Sequence, residues 1–336
     1  MTLEDYLSHL ERVLIIHHWD TDGICSTSLV KDALKGAEVT NRVPRIGTYR
    51  FSQRILHEAA ENWDAIIVVD IRPPDDDFKS LREVAGCKIL LLDHHIGKTP
   101  DGVVRLQPEH EKTIASEWPS TSWLVKATLG LPTNLRSILG VVGDKGSIDL
   151  SEGPERDDAM QFLSNQRVDE GVLRHISDLL DSNSRVGQES LVERAVADVS
   201  KIGENAEALL THPVWIKNAR SLEIEIGRQL EQPGEAYDRV AIKKFDSRLD
   251  IVSAVARKLA WSGKWRVVVA ANGGFLPDQE QIYVRRGTGI IDAPAIIQMA
   301  HQRGYSAGGK EEVVGIVVPK NQSDEFLQHL VSKLAA

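Results

Sequence analysis

Two cysteines, Cys25 and Cys87, are all that 336 residues contain. A disulfide framework is therefore not implied, and both thiols are expected to be reduced and buried in a cytoplasmic protein. No run approaches the roughly 20 apolar residues of a membrane span, and the N-terminus is too polar and acidic for a signal peptide. Excess positive charge is also missing. The net charge is −9, which argues against general, sequence-blind adhesion to a DNA backbone. There is no internal repeat and no low-complexity tract. What remains is the composition of a globular protein, 42% hydrophobic and 26% charged, long enough for one or two domains and a sizeable core.

The charge is unevenly spread. From Tyr237 to the C-terminus 14 Lys/Arg stand against 10 Asp/Glu, whereas the preceding residues hold 26 against 39. An acidic front suits the holding of cations, and a basic second half suits the anionic part of a substrate.

The front half alternates strand and helix. Val13 to Ile16, Ala65 to Val69 and Lys88 to Leu92 read as buried strands. Helices are predicted from about Ser26 to Leu34, near Phe78 to Val84, and from Ser120 to Leu129 with Ser120 or Thr121 near the cap. Such alternation implies a parallel sheet with helices on both faces. Leu135 to Val142 is apolar and consistent with either state. After Gly153-Pro154 the chain turns polar and helical over Asp157 to Leu180. Leu191, Ala195, Val199 and Ile202 then repeat near the helical period, as in a connecting helix. From about Ala236 a third region follows. Its predicted strands are Val240 to Phe245, Arg266 to Ala271, Gln281 to Arg285 and Val313 to Val318. Its helices are Ile251 to Trp261, Ala293 to Arg303 and Ser323 to Leu334, the last with Ser323 as N-cap. The expected organisation is a catalytic domain over 1–190, a helical linker over 191–235 and a smaller α/β domain over 236–336.

Four acidic clusters carry the chemistry. They are His18-Trp19-Asp20-Thr21-Asp22-Gly23, Asp70 after Val69, Asp93-His94-His95 after Leu92, and Asp144 after Gly143. Three of them follow a predicted strand, and parallel strands deliver residues at their carboxyl ends into one crevice. Alone, Asp-x-Asp-Gly is a common turn and Asp-His-His has structural uses. Together, so many carboxylates without a cation would cost several kcal/mol of repulsion and desolvation. Carboxylates mixed with imidazoles suit Mn²⁺, Mg²⁺ or Zn²⁺ better than a thiolate-seeking metal. A second motif, Gly308-Gly309-Lys310, lets backbone approach an anion while a lysine adds charge. Gly23 is expected to supply an unusual backbone angle where the chain turns into the first helix.

These residues resemble the DHH phosphoesterase superfamily, in particular its RecJ-like branch with a DHHA1 domain, of the archaeal RecJ-like or oligoribonuclease type. His18 to Gly23 resembles the first family motif, Asp70 the second, Asp93-His94-His95 the signature and Asp144 the fourth. Ile282-Tyr283-Val284-Arg285-Arg286 resembles the DHHA1 arginine strand, and Gly308 to Gly315 its glycine-rich motif. The resemblance covers nearly the whole chain. It implies an N-terminal parallel-sheet DHH domain, a helical linker and a C-terminal α/β DHHA1 domain. It also implies two Mn²⁺ ions, with Mg²⁺ as the alternative. His18, Asp20 and Asp70 would hold one ion, and Asp22, Asp70, His94 and Asp144 the other. His95 would contact the scissile phosphate or donate to the leaving oxygen, with Asp93 orienting a histidine. Arg285, Arg286, Gly308, Gly309 and Lys310 would hold a terminal phosphate or nucleotide. Lys310 departs from the family, which usually has histidine there, and this leaves substrate identity open.

The implied activity is hydrolysis of single-stranded DNA or RNA, or of short oligonucleotides, by two-metal activation of water. The alternatives are a small-nucleotide phosphatase or phosphodiesterase, acting on 3′-phosphoadenosine 5′-phosphate or a cyclic dinucleotide, and a Cdc45-like component that binds DNA and replication or repair proteins. No membrane partner is expected.

Overall fold

The computed structural model describes residues 3–95, 98–105, 118–145, 156–166 and 168–335. It divides into two compact units, residues 1–184 with 188–217, and residues 185–187 with 218–336. The Gly153-Pro154 boundary expected from sequence lies outside the described residues.

The first unit opens with α1 (Leu3–Leu7) and then alternates. In chain order come β1 (Arg12–His17), α2 (Thr21–Ala33), β2 (Glu38–Arg42), α3 (Gln53–Ala59), β3 (Ala65–Val69), α4 (Asp75–Val84), β4 (Lys88–Leu92) and β5 (Val104–Arg105). The helices α5 (Thr121–Thr128), α6 (Leu135–Lys145), α7 (Arg156–Gln166), α8 (Glu170–Arg185), α9 (Glu189–Ile202) and α10 (Ala206–Leu210) follow. The helix α11 (Pro213–Glu231) contains the boundary between the units.

The sheet runs β2-β1-β3-β4-β5, and every pairing in it is parallel. Its three central strands are near-continuous Val/Ile/Leu runs because both faces are covered. On one face Val13, Ile15, Ile67, Val69, Leu90 and Leu92 pack with Leu29 and Val30 of α2 and Leu124 and Val125 of α5. On the other, Leu14, Ile16, Ile66, Val68 and Leu91 pack with Ile55 of α3 and Phe78 and Leu81 of α4. This alternation is the strand period, and each large side chain so buried contributes about 1.5–3 kcal/mol. The expected parallel sheet with helices on both faces is what forms.

The apolar stretch from Leu135, open on sequence grounds, is helical. Leu135, Ile138, Leu139 and Val142 lie three and four apart and are buried, the helical spacing. Gly23 sits inside the first turn of α2 with no positive φ, so the expected unusual backbone angle is absent. Its requirement is space: an added Cβ would stand 2.4 Å from the carbonyl oxygen of His18.

The second unit carries β6 (Glu235–Tyr237), β7 (Val240–Phe245), α12 (Val252–Trp261), β8 (Val267–Asn272) and β9 (Gln279–Arg286). After these come α13 (Ala293–Gln302), β10 (Ser306–Lys310), β11 (Val313–Pro319) and α14 (Lys320–Ala335). The order is β10-β11-β9-β8-β7-β6, mixed because β7 and β8 run parallel while the other pairs are antiparallel. Ser323 is not the cap of the closing helix. That helix starts at Lys320, directly after Pro319, and the buried Ser323 turns its hydroxyl back to the Lys320 carbonyl at 3.2 Å. The glycine pair lies within β10, where an edge strand tolerates residues that a central strand does not.

Candidate metal centre

The register of the first sheet sets three chain ends side by side. His17 pairs with Val69 and Val69 with Leu92, so β1, β3 and β4 stop level with one another. The residues that follow are His18, Asp70 and Asp93, and the peptide NH groups of His18 and Asp70 still donate to Val69 and Leu92. Asp70 turns off the strand in a left-handed conformation, φ 57°, which an aspartate tolerates better than most side chains but which still costs free energy. Asp20 caps α2, accepting from the Gly23 amide at 3.0 Å, and Asp22 lies fully buried in the first helical turn. Asp144 arrives from the last turn of α6.

These side chains converge. His18 Nδ1 lies 2.8 Å from Asp20 Oδ2 and 3.9 Å from Asp70 Oδ2. His94 Nε2 lies 2.9 Å from Asp144 Oδ2 and 3.9 Å from Asp70 Oδ1. The ligating atoms of His18, Asp20 and Asp70 all fall within 4.8 Å of one another, as do those of Asp22, His94 and Asp144, and those of Asp70, His94 and His95. Asp70 reaches both sides of the cluster with its two oxygens.

The electrostatics show what this gathering costs without a cation. Burial drives the Asp70 carboxyl well above its ordinary range, and repulsion from Asp22, Asp20 and Asp144 adds to it. Burial likewise raises Asp144 to about 6, the His94 imidazole holding it back in part. His94 rises to about 9: burial alone would lower it, but Asp144 and Asp22 outweigh that. Asp20 falls to about 2, because the imidazole of His18 and the Gly23 amide overcome the effect of burial.

Divalent ions fit this donor set. His18 Nε2 is buried and makes no hydrogen bond to any described residue, an expensive condition for a polar atom, and the crowding of Asp20, Asp22, Asp70 and Asp144 is a repulsion that a cation relieves. The 2.8 and 2.9 Å contacts match the separation of about 3 Å between adjacent ligands on an octahedral ion with bonds of 2.0–2.1 Å.

His95 stands apart from the buried set. It is half exposed, and its Nδ1 lies 2.7 Å from Oδ1 of the buried Asp93. With Nδ1–H donated to that carboxylate, Nε2 is the ring nitrogen left for another partner.

Sequence reasoning missed the scaffold behind the clustered Asp and His. The Thr121 hydroxyl donates to Asp70 Oδ1 at 2.7 Å and accepts from the His94 amide at 3.3 Å. Asp22 accepts from the amides of Thr121 and Ser122 at 2.6 and 2.9 Å, anchoring the start of α5. Asp181 of α8 accepts from the amide and hydroxyl of Thr21, at 2.9 and 2.7 Å. The Ser120-Thr121-Ser122 run was legible as a helix start, with Ser120 the N-cap, but nothing local signals Asp181. His17 is buried and held neutral, its pKa lowered to about 4 chiefly by burial. It donates from Nδ1 to the His18 carbonyl and accepts from Asn41 at 3.2 Å.

In the second unit the five expected residues do not share one face. Lys310 pairs with Val313, and Val313 with Arg285, so Lys310 and Arg285 project on the same side. Gly308, two residues before Lys310, faces that side too. Arg286 and Gly309 face the other. Arg286 pairs with Glu312, and a Cβ on Gly309 would stand 2.1 Å from the Val313 carbonyl oxygen.

Fold and site together define an α/β protein with a carboxylate–imidazole centre, suited to divalent cations, at the carboxyl ends of a parallel sheet. Residues 12–138 match the DHH family, N-terminal domain, and the chain shares the fold of the exonuclease RecJ. The exonuclease RecJ bound to manganese is 19% identical, with a TM-score of 0.61 over 97% of this chain and 91% of that one. A pGpG-specific phosphodiesterase from Vibrio cholerae is 13% identical, with a TM-score of 0.52 over 96% and 98% of the two chains. Cdc45 from Entamoeba histolytica is 9% identical, with a TM-score of 0.53 over 95% and 94%. No curated protein matches the chain. Among the described residues no helix is long and apolar enough to cross a membrane.

Proposed function

We propose that this protein is a metal-dependent phosphodiesterase, a nuclease of single-stranded or short oligonucleotides, with two Mn²⁺ ions as its cofactor. The observation that carries the reading is the cluster of Asp20, Asp22, Asp70 and Asp144 with His18 and His94, whose candidate ligand atoms fall in groups of three within 4.8 Å of one another. His18, Asp20 and Asp70 would hold one ion, and Asp22, Asp70, His94 and Asp144 the other. Such a pair lowers the pKa of water and neutralises charge developing at phosphorus.

The protein's own groups divide the remaining work. Hydrolysis joins a water oxygen to phosphorus and breaks the P–O ester bond, so the leaving oxygen must gain a proton. His95 is the exposed group placed to give it, or to hold the phosphate while it leaves. Asp93 fixes the tautomer and orientation of His95 through the 2.7 Å contact. Thr121 steers Asp70, leaving its second oxygen for the His18 side. Arg285, Gly308 and Lys310 would receive the anionic end of the substrate on one face of the second sheet. Arg286 is engaged with Glu312.

Asp144→Ala is expected to abolish Mn²⁺-dependent cleavage of an end-labelled strand, and a variant with full activity would end the reading. Turnover of a dinucleotide, a twenty-nucleotide strand and 3′-phosphoadenosine 5′-phosphate, compared side by side, decides between the oligonucleotide reading and the small-nucleotide one. A non-catalytic DNA-binding role, as the likeness to Cdc45 would allow, is less favoured, because the carboxylates and imidazoles gather closely and a scaffold gains nothing from mutually repelling carboxylates.

A further inference from the structure

The second unit carries an exposed indole that the reading above leaves unused. Trp261 ends α12 and is 72% exposed, a poor position for a large apolar ring unless something else covers it. Two guanidiniums flank the ring: Arg257, one helical turn earlier, with Cζ 5.6 Å from the centroid, and Arg285 of β9 at 5.9 Å. Both also act on Tyr283, whose phenol is raised by burial and drawn back by Arg285 and Arg257.

The sheet register extends this patch. Lys310, Val313 and Arg285 form one row, and Gly308, Gly315 and Tyr283 form the next. A Cβ on Gly308 would meet nothing within 4 Å, and one on Gly315 would rest on the Tyr283 ring. Bare backbone therefore lies beside the cations. The helix α12 carries Arg257 and Lys258 and no acidic residue. Phosphate binding alone would use the cations and the glycines but has no need of an exposed indole. An indole between guanidiniums is suited to a flat, electron-rich ring tethered to an anion, which is a nucleobase on its phosphodiester chain.

We infer that Trp261 is a base-stacking platform: one base of a single strand lies on the indole between Arg257 and Arg285, and the adjoining phosphates are drawn towards Arg285 and Lys310. The inference rests on the reading that the ligand is a nucleic-acid strand, and it adds Trp261 and Arg257 to the residues that grip it.

The test is binding by the full chain in EDTA, which removes hydrolysis from the readout. Fluorescence anisotropy of a labelled twelve-nucleotide strand is compared with that of the same strand made abasic. Trp261→Ala is expected to weaken binding of the base-bearing strand by about 5- to 150-fold, the usual effect of losing one stacked base. It should leave the abasic strand nearly unaffected, and Trp261→Phe should restore most of the loss. Arg257→Gln should weaken both strands. Wild-type affinity in Trp261→Ala, equal losses on the two strands, or a wild-type chain that binds neither would overturn the inference. If Trp261→Ala fails to fold, the same contrast between strands is read from Trp261→Leu, which keeps the bulk but cannot stack, and equal losses on the two strands, or none, again count against it. Stacking-dependent binding without any Mn²⁺-dependent cleavage would defeat the nuclease reading and leave the platform standing, while cleavage with Trp261-independent binding would do the reverse.

Discussion

Asp70 is the residue on which most of the chemistry turns, and its state without metal makes a sign-definite expectation. Its folded pKa lies well above the ordinary carboxylate value, driven there by burial and by three neighbouring carboxylates. The fold therefore holds that proton more tightly than the unfolded chain does. The resulting stabilisation is complete below the unfolded value of about 3.9 and is lost as the pH rises towards the folded one. Asp70→Asn removes the liability, so at pH 7.5 the metal-free variant should melt above the metal-free wild type while losing the rise in Tm that Mn²⁺ gives the wild type. Differential scanning calorimetry with and without Mn²⁺ reads both. At Thr121 the expectation is smaller: replacing the hydroxyl that orients Asp70 by valine should cost about 10- to 100-fold in metal affinity or turnover, as with other supports behind metal ligands. The clustered Asp and His were legible in sequence, because they stand next to short apolar runs whose ends the sheet brings together. Thr121 and Asp181 were not, since a hydroxyl and a carboxylate that act through hydrogen bonds leave no spacing signature.

At the scale of elements, the centre depends on how closely α6 and α5 approach α2. A Cβ on Gly140 would stand 2.0 Å from Ser122 Oγ and 2.1 Å from Asp22 Oδ1. Gly140→Ala must therefore push Asp22 or α6 aside. It should cost about 1–3 kcal/mol of stability as overpacking, and Mn²⁺ affinity should fall with it although no ligand has changed; urea denaturation and metal titration of the same sample separate the two. The strands leading into the site were readable because a buried parallel strand is a short, unbroken apolar run. The run from Leu135 was harder for the same reason, since an apolar stretch of that length has no alternation to betray its period, and its helicity follows from packing against α2 and α5. Ser323 misled because a serine before an apolar run reads as a cap. The start at Lys320 is set instead by the end of β11 at Pro319 and by the Lys320 amide reaching the Asp278 carbonyl at 3.1 Å. The short edge strands β2, β6 and β10 were missed because polar residues and glycines dominate them.

At the scale of the whole molecule, an acidic front half with a carboxylate–imidazole cluster stands against a basic second half. Metal ligands must be deprotonated to bind. Asp144 at about 6 and His94 at about 9 place the competition with protons across the physiological range. Mn²⁺ affinity should therefore rise from pH 6 to pH 9, and binding at pH 7 should release protons, measurable as a dependence of the calorimetric heat on the buffer's ionisation enthalpy. Heats identical in phosphate and Tris would count against it. The division into a parallel-sheet first unit and a second α/β unit could be anticipated from the change of pattern along the chain, whereas the mixed pairing of the second sheet emerged only in the structure. The opposite facing of Arg285 and Arg286 could be anticipated only as an alternation, and finding which of them shares a face with Lys310 required the register with β11.

The central claim is that two divalent ions occupy the cluster around Asp70, and calorimetric titration of the metal-free full chain with Mn²⁺ at pH 7.5 addresses it directly. Two ions per chain for the wild type, and a loss of tight binding in Asp70→Asn with the fold intact, are the expected result. A wild type that takes up no Mn²⁺, or an Asp70→Asn chain that takes up two with unchanged affinity, would contradict it.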